Sequence, residues 1–206
     1  PPSGIWSKYP NVKAISSMGA GVDFLLSDNS LPKKIPVTRL VTDQLAASMI
    51  DYLDTQVNAI RHHLFFYQSK QLQSNWAAKA PLKKSDLTIG VMGVGQLGAK
   101  VASHFVSQGY PVVGWSQSEK SISGVCSYQG EDNINAFLNS SQVLINLLPL
   151  TELTQNILNL ENLAKLPHNA YLINVGRGGH LIEKDLIQLL DSNKLSGAIL
   201  DVFKQE

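Results

Sequence analysis

The sequence predicts an α/β fold in which a parallel sheet is wound with helices on both faces. Three observations carry that reading. From about residue 87 onward, short apolar runs alternate with stretches of helical period. The runs are apolar throughout rather than at every second position, as strands buried on both faces are. The first run ends in a glycine-rich turn, Gly93-Val94-Gly95-Gln96-Leu97-Gly98, that opens a helical stripe. Composition agrees: 44% hydrophobic and 16% charged residues suffice for a packed core and argue against wholesale disorder. At ~100–200 residues per domain, the 206 residues hold one domain, or one and a piece of another.

Taken in order, residues 12–16 form a strand candidate that runs into Gly19-Ala20-Gly21, and residues 22–26 start a helix. Residues 37–41 are a second strand candidate. Two strands cannot close a domain, so residues 1–50 are expected to be part of one. A long helix is expected over about 44–66, leading into the main domain at 51–206, with a polar connector over 74–85 that contains Pro81 and Lys83-Lys84. Residues 87–93 are the first strand of that domain. Residues 96–108 carry apolar side chains at 97, 101, 102, 105 and 106, one face of a helix, and Gly109 is placed to cap it. Residues 111–115, 143–148 (closed by Pro149), 170–175 and 197–202 read as the remaining strands. Residues 183–190, apolar at 186, 187, 189 and 190, are a further helix. Cys126 falls in a stretch that reads as loop.

Charge and composition set aside several classes. Seventeen basic residues face sixteen acidic ones, a net +1, with no basic stripe, so a nucleic-acid partner is not expected. No run approaches the ~18 apolar residues of a membrane span, so no membrane partner is expected either. A single cysteine excludes an internal disulfide framework and fits a reducing compartment, so a cytoplasmic location is expected. No signal peptide is visible. The chain opens at Pro1-Pro2 and stops at Glu206 just after a strand, so a fragment cut at both ends is expected.

The glycine turn has the context that its spacing requires, strand before and helix after. The first glycine makes the tight turn, the second lets the backbone approach a diphosphate, and the third allows close helix–strand packing. The helix N-terminus adds free N–H groups and partial positive charge. The bland alternative is a βα turn without a ligand. About 20 residues on, an acid would hold the ribose hydroxyls of NAD. Here the strand ends Trp115-Ser116-Gln117-Ser118-Glu119-Lys120. With no acid directly at the strand end, hydroxyls at Ser116 and Ser118, and Lys120 to balance a phosphate, the segment favours NADP over NAD.

Asn174-Val175-Gly176-Arg177-Gly178-Gly179 leaves a strand end, where ligands of such sheets bind. A guanidinium there can grip a carboxylate with two parallel hydrogen bonds, which Lys cannot. Asp201 ends the next strand and can accept from a nicotinamide amide. Gly19-Ala20-Gly21 offers N–H groups to a small anion. His180, near Arg177, reads as a cofactor-loop or surface residue rather than a base. His62 and His63 are adjacent, not spaced i, i+4, so no metal site is expected. Residues 62–67 (HHLFFY) are dense in apolar and aromatic side chains, as core or as an oligomer contact.

The order GAGVD, G-x-G-x-x-G, LLP, N-x-x-R-G and LDVFxxE resembles the D-isomer-specific 2-hydroxyacid dehydrogenases over nearly the whole chain. Residues 17–26 (SMGAGVDFLL), Trp115-Ser116, residues 145–149 (INLLP) and 200–206 look most like the glyoxylate/hydroxypyruvate reductase branch. The resemblance implies a Rossmann-like cofactor domain beside part of a flavodoxin-like substrate domain, and a homodimer built around the 62–67 region. The implied activity is NAD(P)H-dependent reduction of small 2-oxoacids, glyoxylate or hydroxypyruvate to glycolate or D-glycerate. Another D-2-hydroxyacid such as phosphoglycerate, or a non-catalytic NAD(P)H-sensing scaffold, is the alternative. By the same resemblance Arg177 would bind substrate carboxylate and carbonyl, and Ala20 and Gly21 the carboxylate. Glu206 would hydrogen-bond the catalytic histidine and raise its pKa. Gly93, Gly95, Gln96, Leu97 and Gly98 would cradle the diphosphate. Ser116 and Gln117 would sit at the 2′ position, with Trp115 and Lys120 as further cofactor-binding residues, and Leu148, Pro149 and Thr154 would line the adenosine and ribose. Val175, Gly176 and Asp201 would hold the nicotinamide end. The branch carries arginines near Gln117 and Glu119, absent here. The family's catalytic histidine lies downstream of the Glu206 position. None of His62, His63, His104, His168 or His180 matches it, so the 206-residue chain alone is expected to be inactive.

Overall fold

The structure, a computed structural model, describes residues 4–19, 21–40 and 42–204. The chain divides into two compact units, Pro1–Leu45 and Ala46–Glu206. In the first, β1 (Ile15–Ser17) pairs in parallel with β2 (Val37–Arg39), Ile15 opposite Val37. Ile15 and Ser17 are buried and Ser16 is exposed, the period-two pattern of a strand with one covered face. A short helix, α1 (Asp23–Leu26), follows the glycine-rich turn.

The expected long helix is two helices. α2 (Asp43–Arg61) begins where the Thr42 hydroxyl accepts from the Leu45 N–H at 3.2 Å. It buries Ala46, Leu53, Val57 and Ile60, a stripe at helical spacing. It stops because His63 turns left-handed at φ 57°, its N–H bonded to Ile60 rather than one residue further back. The reversal is tied down from outside: His63 Nε2 lies 3.0 Å from the Ala80 carbonyl. α3 (Leu64–Leu72) then runs on to Leu72, past the expected end at 66. It is laced to the connector: the Tyr67 hydroxyl donates to Lys79 O and accepts from Lys79 N, each at 2.9 Å, and Lys79 Nζ stands 3.8 Å over the Phe66 ring.

The second unit is a six-stranded, wholly parallel sheet in the order β5-β4-β3-β6-β7-β8. Its strands are β3 (Ile89–Met92), β4 (Val112–Ser116), β5 (Val125–Gln129), β6 (Val143–Asn146), β7 (Ala170–Asn174) and β8 (Leu195–Leu200). α4 (Gln96–Ser107), α5 (Ile134–Asn139), α6 (Leu160–Ala164) and α7 (Glu183–Asp191) make the crossovers. β3 and β6 are buried at every position, as their unbroken apolar sequence requires. Two cores result. Ile89 and Val91 join Leu53, Val57 and Ile60 of α2 and Val101, Ala102 and Phe105 of α4 on one face. Met92, Val113 and Leu144 join Phe137, Leu163, Leu186 and Leu189 on the other. Fully burying a Phe or Leu contributes about 1.5–3 kcal/mol, so each face has enough to hold its helices.

Two local expectations need correcting. β5, with Cys126 on it, was hidden because this edge strand is exposed at Cys126, Ser127 and Gln129 and reads as polar; the thiol lies on a strand, not in a loop. The last strand begins at Leu195, two residues before the expected 197, and ends before Asp201. Among the described residues no helix is long and apolar enough to cross a membrane.

Candidate functional site

Strand order reverses between β3 and β6, whose crossovers leave in opposite directions. The carboxyl ends of β3, β4, β6 and β7 therefore frame the crevice where such sheets take ligands. The turn after β3 is shaped by three separate demands. Gly93 has φ +103°, and a Cβ there would stand 3.0 Å from Leu147 C and Leu148 N. At Gly98 a Cβ would stand 2.0 Å from Gly93 O, so α4 can approach the turn only without a side chain. At Gly95, the residue before α4, a Cβ would meet nothing within 4 Å. The middle glycine faces open space, and Gln96, Leu97 and Gly98 begin a helix whose first N–H groups point into it. An open cradle at a helix N-terminus fits a diphosphate.

β4 meets this turn through Gly93 N, which donates to Trp115 O at 2.9 Å. The Trp115 side chain does not face the crevice: its indole is buried in the α5-side core and donates to Gly130 O at 2.9 Å. Its large apolar face gains more from that core than a solvated strand end offers. Ser116 donates to Ser118 O at 2.7 Å, shaping an exposed loop that carries Gln117 and Lys120.

After β6, Leu147 N donates to Met92 O and Leu148 N to Asn146 Oδ1 at 3.2 Å. Leu148 is buried, Pro149 is exposed and Thr154 is half-buried. The Thr154 hydroxyl donates to Pro149 O at 2.6 Å and accepts from Thr151 N at 2.8 Å, so its hydrogen is spent on folding its own loop. After β7, Val175 and Gly176 are buried and Arg177 is half-buried, its Nη1 donating to Gly176 O at 2.8 Å. A Cβ on Gly178 would stand 1.9 Å from Phe203 C, so the chain after β8 passes directly against this turn. Asp201 N donates to Asn174 O at 3.0 Å, and its carboxylate is exposed. Burial first and the Asp201 charge second push the Tyr52 phenol of α2 above its ordinary pKa.

The second unit thus gathers Gly93, Gly95, Gln96, Leu97, Gly98, Ser116, Leu148, Val175, Gly176, Arg177 and Asp201 at one edge of its sheet. Gly21 sits in the first unit, after β1. Ala20 and Glu206 lie outside the described residues. Among the described residues no group of three or more His, Cys, Asp or Glu is placed to hold a metal. A cleft of about 640 Å³ lined by Leu181, Ile182, Glu183, Lys184, Phe203 and Lys204 contains none of the expected site residues. Sequence reasoning missed Asn146 and Asn174 and left His180 between cofactor loop and surface; all three are 0% exposed behind the Arg177 turn. The signal was there: both apolar strands, VLIN and AYLIN, end in asparagine.

The fold and its strand-end turns define a doubly wound dinucleotide-binding domain. The family described as D-isomer specific 2-hydroxyacid dehydrogenase, NAD binding domain, matches residues 55–206, and the chain belongs to that family. The glyoxylate/hydroxypyruvate reductases A of Salmonella paratyphi B and Salmonella newport are each 43% identical to it over 200 residues, 95% of this chain. The chain spans 64% of the length of these curated relatives. A D-isomer specific 2-hydroxyacid dehydrogenase from Xanthobacter autotrophicus Py2, in complex with NADPH and MES, superposes with a TM-score of 0.95 at 35% identity, covering 100% of this chain and 65% of that one. The NADPH-dependent glyoxylate/hydroxypyruvate reductase of Sinorhizobium meliloti, in complex with NADP and sulfate, superposes at 0.92 with 36% identity, covering 98% of this chain and 65% of that one.

Proposed function

We propose that this chain is the cofactor domain, residues 51–206, with part of the substrate domain, residues 1–50, of a cytoplasmic NADPH-dependent reductase of small 2-oxoacids, glyoxylate and hydroxypyruvate foremost. One observation carries the reading. The open glycine cradle and the Arg177 turn stand at the same sheet edge, joined through the end of β6, which touches Gly93 on one side and bonds Asn174 on the other. The relatives' names and the NADPH and NADP complexes support both substrate class and cofactor.

In this reading the backbone of Gly93, Gly95, Gln96, Leu97 and Gly98 holds the diphosphate. Ser116, Gln117 and Lys120 lie toward the 2′-phosphate, with Lys120 supplying charge. Leu148, Pro149 and Thr154 flank adenosine and ribose, and Val175, Gly176 and Asp201 the nicotinamide. The bound dinucleotide supplies the hydride. Arg177 grips the oxoacid carboxylate and orients its carbonyl, with Ala20 and Gly21 as further carboxylate donors. Glu206 raises the pKa of the family's proton-delivering histidine. The second partner is another copy of the chain: Leu64, Phe65, Leu72 and Trp76, 44% to 93% exposed, give α3 and its connector an apolar surface for it.

Titration of the purified chain with NADPH and NADH tests the cofactor. NADPH is expected to bind tighter, and a more than tenfold preference for NADH, roughly 1.4 kcal/mol, overturns the choice. Steady-state assays of the full-length protein test the substrate class. Turnover of glyoxylate or hydroxypyruvate is expected there. Turnover of only phosphoglycerate or another 2-hydroxyacid, or dinucleotide binding without any turnover, replaces this reading with one of its two rivals.

A further inference from the structure

The turn that carries Arg177 is held from behind by three buried polar side chains. Asn146 closes β6 and Asn174 closes β7, and the register sets them opposite each other. Asn146 Nδ2 lies 2.9 Å from Asn174 Oδ1 and 2.9 Å from His180 Nδ1, one hydrogen for each. Its Oδ1 accepts from Leu148 N. Asn174 Oδ1 also accepts from Gly176 N at 3.2 Å, while Asn174 Nδ2 donates to Arg177 O at 3.1 Å. Arg177 N donates to His180 Nδ1 at 3.1 Å. Position 176 must stay small for this: a Cβ there would stand 2.9 Å from Asn146 Nδ2 and 3.1 Å from His180 Nδ1. The far side is anchored too, with Leu158 N donating to His180 O and Asn156 N to Gly179 O.

A main-chain N–H can only donate, so His180 Nδ1 carries a lone pair and the proton of the neutral ring is on Nε2. A proton on Nδ1 would set an N–H against two N–H donors and break both bonds. Asn146 satisfies the loop after β6 and the turn after β7 at once, so the two cannot shift independently. We propose that Asn146, Asn174 and His180 form a locked amide–imidazole network that sets the Arg177 turn, with His180 a positioning residue that works as its neutral Nε2–H tautomer and takes no part in proton transfer. The kinetic consequence rests on the reading of Arg177 as the substrate-gripping group; the tautomer does not.

The test uses the full-length protein with 15N-labelled histidine, His180 being assigned by its loss in His180→Asn. At pH 7 the His180 ring is expected as Nε2–H with a bare Nδ1; an Nδ1–H or doubly protonated ring overturns the proposal. In kinetics, His180→Leu is expected to lower kcat/KM for the oxoacid roughly 10- to 100-fold, the scale of a displaced positioning group. NADPH affinity is expected to stay within about twofold. His180→Asn, whose Oδ1 can accept the Arg177 N–H, is expected to recover most of the loss. A parallel collapse of NADPH affinity, or no recovery in the Asn variant, marks a merely structural histidine and overturns the positioning role. If His180→Leu does not fold, the Asn variant and the tautomer decide. If the wild-type protein reduces neither oxoacid, the functional reading fails and the tautomer alone decides the network.

Discussion

Between β3 and α4 the chain is shaped by side chains it lacks: a Cβ at 98 would meet a carbonyl oxygen at 2.0 Å, and one at 93 would meet the backbone of the next turn at 3.0 Å. Between β7 and α7 the chain is shaped chiefly by side chains it buries, Asn146, Asn174 and His180 at 0% exposure. The two turns share an edge of one sheet but store their geometry differently. The first is enforced by repulsion, which is steep and local. The second adds to steric exclusion at Gly176 and Gly178 a set of hydrogen bonds, each worth about 0.5–1.5 kcal/mol net, and needs every partner present. A cradle for a diphosphate must leave its centre empty, so steric exclusion suits it. A turn that presents one cation needs a fixed direction, which a bonded network provides.

The contrast predicts how each turn fails. Gly98→Ala is expected to have the largest effect, at least about 3 kcal/mol in urea unfolding with loss of dinucleotide binding, because the atom it collides with is main chain. A cost under about 1 kcal/mol would mean that α4 is free to slide and that repulsion does not set the first turn. Next comes Asn146→Asp, which replaces two donors by acceptors facing Asn174 Oδ1 and His180 Nδ1. It is expected to cost about 2–3 kcal/mol, and Asn146→Ala less; equal costs would deny that hydrogen-bond direction matters there. Gly95→Ala sharpens the comparison from the other side. With nothing within 4 Å of the added atom, stability should hold within about 0.5 kcal/mol. Dinucleotide affinity should fall at least tenfold, about 1.4 kcal/mol, by calorimetric titration. Unchanged affinity would move the diphosphate elsewhere. The smallest effect is expected of Thr154→Val, which removes a staple of the loop between the turns. About 0.5–1 kcal/mol in thermal unfolding is the expectation.

Much of the cofactor domain was legible because its signals are short-ranged. Ile89–Met92 and Val143–Asn146 are apolar at nearly every position, and the glycines at 93, 95 and 98 follow the first of them in the spacing that a strand–turn–helix demands. β5 was not legible, since an exposed edge strand shows no apolar run. Nor was the break at His63, which depends on a carbonyl seventeen residues away. Trp115 was legible as a strand-end residue but not in its direction, which Gly130 and the α5-side core decide.

By itself, then, the amino-acid order determined the alternation of strand and helix, the empty cradle and the family, because periodicity and the absence of side chains are properties of a few consecutive residues. Only the tertiary structure decided that Asn146 faces Asn174 and reaches His180. Those pairings arise from strand adjacency and register, which bring together residues 28 and 34 positions apart, and no local pattern encodes a partner at that distance.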